Sequence, residues 1–110
     1  MNIQATIQDW FKHSHGGSLM LPNGWFGRPY DNIHRLTSVS LAEDLLTVSL
    51  DDGWLILRFG GIQEVYEDQR DLVFSGFHRL DFDWKEYGNN ELHSESFSAG
   101  VVKIVAIPGR

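Results

Sequence analysis

Residues 19–34 read LMLPNGWFGRPYDNIH and gather side chains able to do chemistry: Trp25, Arg28, Tyr30, Asp31, Asn32 and His34. Arginine and aromatic residues are over-represented at binding hot spots. Aspartate, asparagine and histidine add acceptors, donors and a proton-transfer group. A purely architectural account competes with that reading. Pro22-Asn23-Gly24 and Pro29 supply turn chemistry, Trp25 and Phe26 can plug the end of a core beneath a helix, and Asp31 or Asn32 can bond nearby backbone amides. A mixed account pairs Arg28 with Asp31 to hold the loop while its rim meets a partner.

The other constellations are weaker. His13-Ser14-His15 could bring two imidazoles to one cation, but no spacing supplies a third ligand, and histidines at a helix end also suit its C-terminal dipole. His34, His78 and His93 are dispersed. Asp81 and Asp83 in LDFDW sit two apart, which on a strand places them on one face about 6.5–7 Å apart. That separation suits a cation or divided acid and base roles. Arg79 and Lys85 flank them, so the pattern reads first as solvated cross-strand pairing. No serine lies in a G-x-S-x-G or S-x-x-K pattern, and the HGG and FGG turns lack the spacing and Lys-Ser/Thr of a phosphate loop. The sequence therefore assigns no catalytic residue, no metal ligands and no cofactor.

These residues must be positioned by local structure that the sequence also predicts. Ile3, Ile7, Trp10 and Phe11 follow the spacing of one helical face, so residues 2–13 read as an amphipathic helix ended by Gly16-Gly17. HRLTSVSL and LLTVSL read as two strands joined near AED, with Leu46, Val48 and Leu50 alternating against Thr47, Ser49 and Asp51. Asp51-Asp52-Gly53 signals a tight type I′ hairpin. WLILRF returns as a strand apolar on both faces, hence central in its sheet. Residues 60–70 are ambiguous. In DLVFSGFHRLDFDWKEY, Leu80, Phe82 and Trp84 form the inner face of a half-buried strand, YGNNELHS is a loop, and GVVKIVAIPG is a closing strand. The expected fold is α+β: an N-terminal helix packed on one antiparallel sheet of five to six strands that can curl toward a barrel.

Three segments, GRPYDNIHRLTSV at 27–39, LLTVSLDDGWLIL at 45–57 and LDFDWKEYG at 80–88, carry a resemblance. Together they resemble an uncharacterised family of small microbial proteins in which a Gly-Arg-x-Tyr-Asp-Asn motif precedes a β-hairpin and a later strand ends in Trp, aromatics and Gly. The resemblance covers roughly residues 25–90. It implies a shared fold and no activity.

Composition bounds the function. A chain of 110 residues, 42% hydrophobic, has room for one domain with its own core and reads as a single domain over 1–110. It has no cysteine, which fits a reducing cytoplasm and excludes thiol chemistry. No leader pattern or long apolar run suggests secretion or a membrane. The net charge of −6 is spread along the chain, with three basic against six acidic residues in 1–55 and six against nine in 56–110. Scattered basic residues argue against nucleic acid as a partner. Two functions remain. The first is a non-enzymatic protein-interaction module, immunity-type or self-associating. The second is a small-ligand-binding protein or unrecognised enzyme using the Arg28–His34 loop. A flat apolar patch would favour the first, and a pocket on which the loop's side chains converge the second.

Overall fold

The helical period of the first residues is realised as α1 (Ile3–Ser14) in a computed structural model that describes residues 2–27, 32–86 and 88–107. The Asn2 side chain caps the helix by accepting the Ala5 amide at 3.1 Å. The helix ends at His15, whose φ of 57° is left-handed and whose amide donates to the Phe11 carbonyl at 3.1 Å. Among the described residues, ten strands follow. They are β1 (Gly17–Leu21), β2 (Gly24–Trp25), β3 (Leu36–Ala42), β4 (Leu45–Leu50), β5 (Leu55–Gly60), β6 (Glu64–Asp68), β7 (Asp71–Ser75), β8 (Arg79–Lys85), β9 (Leu92–Phe97) and β10 (Val102–Ala106).

The strands form two antiparallel sheets, ordered β2-β1-β10-β7-β6 and β3-β4-β5-β8-β9. The α+β class holds, but the single sheet of five to six strands expected from sequence is corrected to two sheets of five, neither closed into a barrel. The difference arises where strands lack an apolar rhythm. In β6 only Val65 is buried, β9 buries no residue, and β1 stands directly behind a glycine pair. Where the rhythm is strong the expectation holds: β5 is the central strand of its sheet, and Leu46, Val48 and Leu50 of β4 point inward. Residues 60–70, ambiguous in sequence, contain β6, and the stretch read as one strand from Asp71 is two, β7 and β8.

Between the sheets the apolar faces interlock. Phe59 of β5 stacks on Phe74 of β7 with ring centroids 4.8 Å apart, both fully buried, so one aromatic pair ties the middle of one sheet to the other. Each such buried side chain contributes on the order of 1.5–3 kcal/mol. The helix packs against β3 and β6, an edge strand of each sheet, and buries Ile7, Trp10 and Phe11. Trp10 Nε1 donates to the Arg70 carbonyl in the β6–β7 turn at 2.8 Å, while Gln4 reaches the Val39 carbonyl of β3 at 3.4 Å. No helix among the described residues is long and apolar enough to cross a membrane.

The type I′ hairpin expected at 51–53 is also corrected. Leu50 pairs with Leu55, leaving a four-residue connection that contains a short 3₁₀ turn, with Asp51, Asp52 and Gly53 all at positive φ. The longer turn frees the Asp51 side chain to reach across to the segment before β3.

The glycine pair expected to end the helix lies beyond its His15 cap and leads into β1 instead. Gly17 belongs to β1, pairing with Ala106 on one side and bridging to His34 on the other. A Cβ on Gly17 would collide with the Val105 carbonyl, and one on Gly16, at φ 102°, with the His34 carbonyl. Gly53, at φ 90°, has nothing within 4 Å of such a Cβ. Gly16→Ala and Gly17→Ala are each expected to lower the unfolding free energy by about 2 kcal/mol or more, against about 1 kcal/mol for Gly53→Ala, in urea titrations. Equal losses at all three positions would refute the close-approach account.

Candidate functional site

His34 lies in the connection that leads from β2 of one sheet to β3 of the other. Its backbone pairs with β1: its amide donates to the Gly17 carbonyl at 2.8 Å, and its carbonyl accepts the Gly17 amide at 3.2 Å. Its side chain turns the other way, placing Nδ1 2.7 Å from Oδ2 of Asp51. Asp51 is held in turn by the neighbouring residue. Its Oδ1 accepts the Arg35 amide at 2.9 Å, and its own amide donates to the Arg35 carbonyl at 2.9 Å. Burial pushes the Asp51 carboxyl up, but hydrogen bonds from His34 and the Arg35 amide outweigh it and hold the group below its ordinary value of 3.8. An ionised Asp51 accepts a hydrogen bond from an Nδ1–H of His34, and in the neutral form of that ring the lone pair lies at Nε2.

That Nε2 is the unusual atom. His34 is only 5% exposed, and its Nε2 is buried with no hydrogen-bond partner among the described residues. Leaving such an atom unpaired costs about 1–3 kcal/mol, and native structures rarely tolerate it without a reason. His34 and Asp51 line a cleft of about 580 Å³, within the range of small-molecule sites. Its apolar wall is built by Phe26, Leu55 and Trp84, and its polar lining includes Asn32, Lys85 and Glu86. The Phe26 ring sits 5.2 Å from Trp84, 5.1 Å from Phe82 and 6.0 Å from the imidazole, centroid to centroid. Trp84 is fixed from another direction by His93, stacked at 4.3 Å.

The sequence-selected residues separate in space. His34 and Asn32 line the cleft. Trp25 stands on the edge strand β2, 38% exposed, so of the expected aromatic plug only Phe26 packs against the core. Arg28, Tyr30 and Asp31 lie outside the described residues. Sequence reasoning read Asp51 only as a turn residue, because its partner His34 is 17 positions away. It read Trp84 only as core, Lys85 as an outer-face partner of Asp81 and Asp83, and gave Glu86 no role. No local pattern marks these residues as cleft-lining, since the topology alone brings the end of β8 beside the β4–β5 turn.

The remaining constellations resolve into ordinary pairings. Asp81 and Asp83 lie on the outer face of β8. Arg79 Nε donates to Asp81 at 2.9 Å, Arg58 to Asp83 at 2.6 Å, and Ser96 and Ser94 of β9 donate to Asp81 and Asp83 at 2.7 and 2.6 Å. The Arg79 guanidinium first, and then the Ser96 hydroxyl, hold the Asp81 carboxyl below its usual range. The cross-strand pairing expected there is present, with Arg58 rather than Lys85 as the second cation; Lys85 Nζ lies 5.9 Å above the Trp54 ring. His13 Nδ1 lies 2.7 Å from the Asp9 carbonyl one turn back. Among the described residues, Glu86, Glu91 and His93 form the one group whose donor atoms could share a cation, all within 4.8 Å of one another. Ligand bonds of about 2.0–2.2 Å would require that group to contract.

A depressed carboxylate pKa adds stability above its unfolded value and loses it as the pH falls through the folded one. Asp51→Asn is therefore expected to lower stability at pH 7 by about 1–3 kcal/mol. The gap from the parent protein should narrow in urea titrations carried below pH 3.8. A gap independent of pH would show that the Asp51 charge has no part in holding His34.

In comparisons with known proteins, the chain matches no family model, no curated protein and no solved structure, so the geometry of this cleft is what a functional reading must rest on.

Proposed function

We propose that the protein is a small-ligand-binding domain and that its site is the cleft around His34. The observation that carries this reading is the buried, unpartnered Nε2 of His34, oriented by Asp51 beside an aromatic wall. A hydrogen-bonding atom held in place without a partner is what a binding site presents before its ligand arrives. The lack of cysteine supports a cytoplasmic location, and the scattered basic residues speak against nucleic acid. Screening neutral aromatic fragments against ¹⁵N-labelled protein is expected to perturb the amides of Phe26, His34, Leu55 and Trp84 together. Hits scattered over the surface, or confined to the helix, would overturn the assignment.

A second reading, the protein-interaction module of immunity or self-associating type, draws on a different place. Leu41 and Leu45 are 40% and 44% exposed, on opposite faces of the β3–β4 hairpin end, and β3 is an edge strand able to accept another strand. The acidic net charge suits a basic partner. For self-association through this edge, light scattering after size-exclusion chromatography should report a dimer that Leu41→Glu with Leu45→Glu converts to monomer. A protein monomeric at every concentration would remove the self-associating form.

A further inference from the structure

We infer that the cleft takes a small, planar, uncharged ligand that donates one hydrogen bond to Nε2 of His34. The inference rests on the ligand-binding reading above and names its chemical class. Three features select that class. Asp51 lies 2.7 Å from Nδ1 and accepts a hydrogen bond from it; with the ring inferred to be neutral, Nε2 is an acceptor and the complementary group is an N–H or O–H donor. The wall beside it, Phe26, Leu55 and Trp84, offers ring faces and aliphatic surface, which suit a flat apolar body. The charged side chains in the described lining are two carboxylates, Asp51 and Glu86, against one ammonium, Lys85, a balance that disfavours an anion.

The ligand's donor would approach the imidazole from the cleft that His34 and Phe26 line together. Once there, its donor would satisfy an atom that otherwise stays buried and unpaired. Selectivity then follows from the site itself: an analogue that fills the same volume without a donor leaves Nε2 unsatisfied and binds more weakly.

The test uses phenol, toluene and benzoate, which share one ring and differ in a single substituent. Each is titrated into the full chain at pH 8.5, with ¹⁵N spectra of the histidine side chains recorded alongside the amides. Phenol is expected to bind at least about tenfold more tightly than toluene, with benzoate weakest. Phenol alone should move the His34 Nε2 resonance. His34→Phe should remove the advantage of phenol over toluene, and the Nε2 resonance of the parent protein decides the matter even where that variant fails to fold. Equal binding of phenol and toluene, with Nε2 unmoved, would overturn the donor inference and leave the cleft reading standing. Tightest binding by benzoate would overturn it in favour of a cationic imidazole site. No binding of any probe at the cleft would overturn both readings.

Discussion

His34 is hydrogen-bonded to both sheets at once, and the geometry of the molecule's central seam depends on it. Its backbone extends the β1 ladder through Gly17, and its side chain is anchored by Asp51 at the turn between β4 and β5. Because Asp51 also pairs with Arg35 through backbone and carboxylate, the link between the sheets is clamped from two successive residues. The approach of the chain before β1 to this link leaves Gly16 no room for a Cβ, while on Gly17 the obstacle is the Val105 carbonyl of β10. The seam therefore combines a steric requirement for glycine with a largely buried polar contact.

A charge taken partly out of water is tolerated where its hydrogen bonds are supplied. Asp51 meets that condition, with an imidazole on one oxygen and a peptide amide on the other. Asp81 and Asp83 show the contrasting solution on the outer face of β8, where arginines and serines surround carboxylates that remain in contact with water. Exposed pairs of that sort contribute little net free energy. The inner pair is coupled to the packing of Phe26 and Trp84, so a change at His34 reaches the cleft wall as well as the seam. His34 satisfies one ring nitrogen in holding the sheets and leaves the other unsatisfied beside the cleft. This asymmetry makes a structural residue a candidate for recognition.

Legibility in the sequence followed the strength of local pattern. The helix was readable because Ile7, Trp10 and Phe11 recur at helical spacing and bury together. The alternation of Leu46, Val48 and Leu50 identified β4, and the unbroken apolar run from Leu55 marked β5 as central. Where alternation was weak the reading failed: Glu64–Asp68 and Leu92–Phe97 are strands because a neighbour completes their backbone hydrogen bonds, a term that composition does not carry. Of the site, His34 and Asn32 were visible as part of an unusual polar run. Asp51 was visible only as a turn former, and its longer turn overrode the hairpin that Asp-Asp-Gly suggested.

By itself the sequence determined an α+β class, the inward face of each strongly patterned element, and the absence of thiol chemistry. These depend on residue type and on periods of two or 3.6, which are local properties of the chain. The division into two sheets, the meeting of Asp51 with His34, and the placing of Phe26 and Trp84 beside them were decided by the tertiary structure alone. They are contacts between segments far apart in the chain. Such contacts depend on how strands order themselves in a sheet, and neither spacing nor composition records that order.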